Sequence, residues 1–427
     1  MMNSFDLPNL YLVQQDIPTP RLENVTATLM EKLEAFPLAN KVQKGDRIAI
    51  TAGSRGIRDM AQVLRGLALH FRRLGAKPFI SPAMGSHGGA TAEGQVEVLS
   101  HLGVDEKTVE APIVSSMEVV EVGRLRGDVP VLVGKDFKEA DHIVVVNRIK
   151  SHTDFKGEIE SGLLKIMMIG MGKHKGAQLA HKAVIHRGFQ EVVVEWGNTL
   201  LKNLPILMGI GIVENYYSET AYLEVIGPTQ FVTEEKRLLK EAKKIIGKIP
   251  FNGIDLLIID EMGKNISGTG MDTNVIGRIM HIATPEPKPS QFRRIFVRDI
   301  NEETGGNAIG IGLADFTTER LVSKINREVT RINCVTGTTP EKGRIPIAYS
   351  NDEEAIVNGL HNAGVFDFKT ARLIWVRNTL ELKFLKISEA LLPETKRERG
   401  LKTASGPFQF SFDNEGNLPW GDFPSVT

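Results

Sequence analysis

Two hydrophobic periods alternate along the first half of the chain. Residues 47–51, Arg-Ile-Ala-Ile-Thr, form a β-branched run that reads as a buried strand, ending in the turn Ala52-Gly53-Ser54-Arg55-Gly56. Behind it Met60, Val63, Leu64, Leu67, Ala68 and Phe71 recur at three and four residues and predict a helix closed by Gly75. Residues 77–82 repeat the strand, residues 83–90 form a glycine-rich loop, and a second helix follows to about residue 102. Strand, loop and helix in repetition predict an α/β fold whose mainly parallel sheets are flanked by helices. In such sheets ligands gather beyond the carboxyl ends of the strands, where the loops carrying Arg55 and His87 fall.

Residues 119–134 read as a hairpin turning at Arg126-Gly127-Asp128, and residues 142–147 as a further buried strand. A helix over 189–204, two strands within 206–226 and a lysine- and glutamate-rich helix over 233–247 follow. Pro250-Phe251-Asn252-Gly253 reads as a boundary, after which 255–260 opens a second α/β pattern. The predicted organisation is a domain over 1–250 and a second over 251–393. A coil tail over 394–427 is expected to pack back on the first domain.

Composition narrows the function classes. Lysines and arginines number 52, as do aspartates and glutamates, so a net charge of zero gives no reason to expect nucleic acid or an anionic membrane. No apolar run is long enough to span a bilayer and no leader pattern opens the chain, so a cytoplasmic location is expected. The single cysteine, Cys334, excludes an internal disulfide or a cysteine metal cluster.

Candidate chemistry concentrates in two places. In Gly85-Ser86-His87-Gly88-Gly89 the glycines let the backbone approach a ligand, and a histidine there can exchange a proton or bind a metal. An ordinary strand-to-helix turn would have the same look. His152, His174, His181 and His186 then fall within 35 residues, with Ser161-Gly162-Leu163-Leu164-Lys165 among them. His174 and His181 would share a face of a continuous helix, while the surrounding lysines and glycines equally suit a broken surface segment. No HExxH or Cys/His zinc spacing is present.

These residues resemble the signature of the nickel-pincer-nucleotide lactate racemase family. The resemblance implies that His87 and His152 are the two catalytic acid/bases, that Lys165 anchors the nickel-pincer nucleotide through a thioamide, and that His181, sixteen residues later, binds nickel. It places Arg55, with Ser54 beside it, where the family holds the nucleotide. The implied reaction is racemisation or epimerisation of a 2-hydroxy acid, with the α-hydrogen leaving as hydride and the hydroxyl proton exchanged by histidine. Cofactor and substrate are expected in a cleft between the domains, and cofactor-synthesis proteins are the expected partners.

The chain departs from the family in three ways, the first being Ala52 where the family has a nucleotide-side aspartate. Three more residues separate His152 from Lys165 than in the family, so that loop must be reshaped. Ile276, Gly277 and Met280 stand where the family has substrate-side tyrosine, glutamine and lysine, so lactate is not the expected substrate. Lys264, Asn265 and Arg278 are candidates to bind the substrate instead, and a polyhydroxylated acid such as gluconate suits their polarity. Two alternatives stand beside this reading: a carrier of nickel or of the pincer nucleotide, and a nicotinamide-dependent oxidoreductase. The first strand is not followed by GxGxxG, which weighs against the latter.

Overall fold

Fifteen strands build three sheets in the computed structural model, which describes residues 6–38, 41–288 and 290–424. They are β1 (Leu10–Gln15), β2 (Arg47–Ala52), β3 (Lys77–Pro82), β4 (Val119–Leu125), β5 (Val129–Gly134), β6 (His142–Arg148), β7 (Ile206–Glu214) and β8 (Thr220–Ile226). After them come β9 (Ile254–Met262), β10 (Phe292–Ile300), β11 (Phe316–Thr318), β12 (Ile347–Tyr349), β13 (Leu373–Val376), β14 (Phe384–Ser388) and β15 (Leu401–Phe408). The chain divides into two compact units. One is Pro18–Ile246, and the other joins the described residues before it to those from Gly247 onward.

The first unit is built on the sheet β3-β2-β6-β7-β8, parallel except for the last pair. Ile48, Ile50, Val144, Val146 and Ile210 are buried on it, against Val63, Leu64, Leu67 and Phe71 of the helix Met60–Arg73. Continuous β-branched runs form such strands because both faces are covered and no polar alternation is needed. The β4–β5 hairpin is a separate antiparallel ribbon, as its turn residues predicted. The parallel order puts the loops after β2, β3 and β6 at one end of the sheet.

The second unit is an eight-stranded sheet ordered β12-β11-β10-β9-β13-β14-β1-β15. Its first five strands are parallel, and β14, β1 and β15 extend it antiparallel. Here the domain boundaries differ from the expectation. Strand β1 belongs to this sheet, paired Leu10 to Ser388, and the unit 18–246 is an insertion after it. The tail differs too: it supplies β15 and then buries Leu418 and Phe423 in the core with Leu256 and Trp375, so it packs on the C-terminal unit. The cause is electrostatic as well as apolar. Arg298 on β10 is enclosed with Asp260 and Asp352 and donates to Leu418 O at 2.6 Å, while Gly421 N–H donates to Asp260 at 2.9 Å.

Candidate active site

The His87 loop leaves β3 and turns through Gly88, whose φ of 66° suits glycine. A Cβ there would fall 2.4 Å from the Gly94 carbonyl carbon, so the loop lies against the next helix with no side chain between. Buried Gln95 ties it down, its Nε2 donating to Gly85 O at 2.9 Å. His87 Nδ1 lies 2.9 Å from Met84 O and 2.9 Å from Ser54 Oγ. A carbonyl can only accept, so this contact assigns the hydrogen to Nδ1 and leaves the lone pair on Nε2. Ser54 and His87, on loops after neighbouring strands, are thereby joined.

The loop after β6 closes on itself through Lys150 N–H to Ser161 O, 2.9 Å, and the return bond of 3.2 Å. Within it His152 N–H donates to Glu160 at 2.8 Å. His152 Nδ1 accepts from the N–H groups of Asp154 and Phe155 at 2.9 and 3.2 Å. Two donors on Nδ1 assign the hydrogen of the neutral ring to Nε2, the opposite of His87. Phe155 stacks between His152, at 4.8 Å, and Phe189, at 4.3 Å.

Lys165 ends the short turn Leu163–Lys165, which runs into one π-helical turn, Ile166–Gly170. Such turns are rare and concentrate at functional sites. Its Nζ lies 5.9 Å from the Phe155 ring, so lysine and His152 share one aromatic neighbour. The amine is brought down to about 7, chiefly by burial; Asp154 opposes this, while Lys150 and Arg55 add to it. Those couplings place Arg55, Lys150 and Asp154 around the lysine. The side chain keeps some accessible surface, whereas protein atoms enclose the amine itself. Arg55 is likewise exposed in area yet lowered by burial first and Arg148 second, and a guanidinium stays charged regardless.

The remaining predicted residues fall elsewhere. His181 is half-buried on the continuous helix Lys173–Arg187, which also carries His174. Of the two readings of this segment the continuous helix holds and the glycine-broken one does not: Gly176 is buried within it, packed close to the Leu132 carbonyl. Lys264, Asn265 and Arg278 lie in the C-terminal unit. Lys264 Nζ donates to Gly268 O at 3.0 Å and Asn265 to Glu303 at 3.0 Å. Arg278 pairs with Asp315 at 2.7 Å and donates to the Leu313 and Arg293 carbonyls, so its guanidinium serves the fold. Among the described residues no group of three His, Cys, Asp or Glu side chains is arranged to hold a metal, and no helix is long and apolar enough to cross a membrane.

Sequence reasoning missed Lys150, Asp154, Phe155, Glu160 and Glu235. Glu235 was detectable: it stands on the apolar stripe with Leu238, Leu239 and Ala242, where a carboxylate is out of place.

Residues 10–191 match the lactate racemase N-terminal domain family. That segment is similar to the lactate racemase N-terminal domain. The matched segment contains Ser54, Arg55, His87, His152, Lys165 and His181, the residues on which the resemblance was read. Among solved structures, the chain is similar to the lactate racemase apoprotein from Thermoanaerobacterium thermosaccharolyticum, at 11% identity over 88% of this chain and 99% of that one, with a TM-score of 0.52. A structural-genomics protein from Thermotoga maritima aligns at 12% identity over 77% and 83% of the two chains, with a TM-score of 0.48. At such identities the first likeness speaks to the fold alone. No curated protein matches. The lactate racemase domain ends before β7, so the last part of the N-terminal unit lies outside it.

Proposed function

We propose that the protein is a racemase or epimerase of a 2-hydroxy acid that uses a nickel-pincer nucleotide. One observation carries the reading: Lys165, its amine lowered to about 7, stands among Arg55, Lys150 and Asp154 and shares Phe155 with His152. A lysine amine that is substantially neutral near pH 7 is a competent nucleophile for a covalent anchor. Arg55 and Lys150 suit an anionic group beside it. The residues around Lys165 therefore suit the nucleotide, with Lys165 to hold it and Arg55 and Ser54 to meet its phosphate, while the nickel ligand role of His181 rests on the family resemblance alone. Bound there, the cofactor supplies a reversible acceptor for the α-hydrogen.

The chain's own part is proton transfer and exclusion of water. His87, with its hydrogen on Nδ1, presents the Nε2 lone pair and takes the substrate hydroxyl proton. His152, with Nδ1 occupied by two backbone donors, presents Nε2–H and donates to the substrate oxygen. For His152 to act as a base, the 152–155 turn must release Nδ1. The stacked Phe155 and Phe189 keep water from one side. Because Arg278 is engaged with Asp315, the substrate carboxylate is assigned to the cations near Lys165, Arg55 and Lys150.

The test is peptide mass spectrometry and metal analysis of protein co-produced with the cofactor-synthesis enzymes, followed by α-carbon isotope exchange on a panel of hydroxy acids. A nucleotide adduct on Lys165 with exchange that His87→Ala and His152→Ala each abolish is the expected result. An unmodified lysine sinks the proposal. An adduct without exchange on any acid selects the carrier reading, which the engagement of Arg278 within the fold favours.

A further inference from the structure

One helix grips the loop from His152 to Lys165 along its length. That helix, Phe231–Lys244, lies beyond the matched domain. Glu235 is fully buried, and its Oε2 accepts the Leu164 N–H at 2.9 Å, in the turn that carries Lys165. Its Oε1 is buried without a hydrogen-bond partner, and a Cβ on Gly162 would fall 2.4 Å from it, so the loop leaves this oxygen space that only glycine allows. Two turns on, Lys243 Nζ pairs at 2.6 Å with Glu160, itself buried, which accepts the His152 N–H. Lys236, about two turns before Lys243, pairs with Glu158 at 2.5 Å. Positions 236 and 243 are seven apart and 235 adjoins them, so all three project from one side of the helix.

A carboxylate buried in this way costs stability unless it serves the backbone it touches. Surface pairs such as Lys236 with Glu158 contribute little to stability singly, so three grips on one loop point to placement. We propose that Glu235, Lys236 and Lys243 are positioning residues that hold the 152–165 loop and so set the placement of His152 and the environment of Lys165. The inference rests on the assignment of those two residues to the reaction.

The experiment is competitive reductive methylation of Lys165 across pH, read by peptide mass spectrometry on the full-length protein without cofactor. It is run on wild type, Glu235→Gln, Glu235→Ala, Gly162→Ala and the double variant Lys236→Met/Lys243→Met. Wild type should titrate near pH 7. Glu235→Ala and Gly162→Ala should let the turn relax toward water, raise the midpoint, and slow labelling at pH 7 about fivefold, the effect of a rise of about one unit from a midpoint near 7. Glu235→Gln, whose amide oxygen still accepts from Leu164, should restore labelling to within about threefold of wild type. The double lysine variant should shift the midpoint as well, since Asp154 rides on the loop it frees. That variant alters only part-exposed side chains, so it carries the test if Glu235→Ala does not fold.

Wild-type midpoints in folded Gly162→Ala and double-lysine proteins would overturn the brace. The readout needs no cofactor, so the two proposals separate. A Lys165 adduct with unshifted variants leaves the racemase reading and removes the brace. Shifted variants of a protein that never loads the nucleotide do the reverse.

Discussion

Lys165, on one short turn, and Glu235, which accepts from the Leu164 N–H of that turn, are displaced by the same cause, burial, in opposite directions. Each reaches about 7, so each links stability to pH. Glu235 ordinarily titrates at 4.5; between there and about 7 the folded chain keeps a proton that the unfolded chain gives up. Its contribution is full below pH 4.5 and is lost as pH rises to about 7. For Lys165 the unfolded chain holds a proton between about 7 and 10.5 that the folded chain lacks, so the burial penalty fades as pH rises through that window. Urea denaturation across pH should therefore show a falling limb that Glu235→Gln flattens and a rising limb that Lys165→Met flattens. Limbs unchanged by the substitutions would contradict the assigned burial. Lys165 was legible in the sequence because its turn and its interval to His181 form a motif. The Ser54 contact to His87 was not, since it depends on β2 lying beside β3. Arg278 looked available to substrate because spacing gives no sign of Asp315, 37 positions away, which neutralises it.

The loops and helices around the site are held by contacts that substitutions can grade. Gly88→Ala adds a Cβ 2.4 Å from backbone at positive φ, and should cost about 2–4 kcal/mol in denaturant titration, with loss of turnover. Gly89→Ala, at φ 64° with open space around it, should cost only about 1–2 kcal/mol. Similar losses at both positions would refute the packing argument. At the start of the helix Lys173–Arg187, buried Lys173 pairs with Asp136 at 3.1 Å and donates to Pro82 O at 2.7 Å, tying that helix to the end of β3. Lys173→Met strands the Asp136 carboxylate and should cost about 3–5 kcal/mol, most of it recovered when Asp136→Leu is added. Strands β2, β3, β6, β7 and β9 were legible because burial on both faces leaves an unbroken apolar run. β1 and β15 were not. β15 is almost wholly exposed and polar, with neither a period nor an apolar face to mark it.

The second unit depends on residues from both ends of the described chain. Leu418 O and Gly421 N–H complete the buried Arg298, Asp260 and Asp352 cluster, and Phe423 lies in the same core. Removing residues 410–427 should lower the melting temperature of that unit and leave that of residues 18–246 unchanged, which calorimetry would show as two separated transitions. One merged transition moving as a whole would argue against two units. The interleaving of β1 with β14 and β15 also fixes an order of events during synthesis. β1 is translated long before its partners, Leu10 waiting for Ser388 and then Phe408. The inserted unit needs neither partner and can close on the nascent chain first. The turn bearing Lys165 would then be built while the larger sheet is still open, leaving the apolar β1 for chaperones to shield until β14 and β15 have been translated.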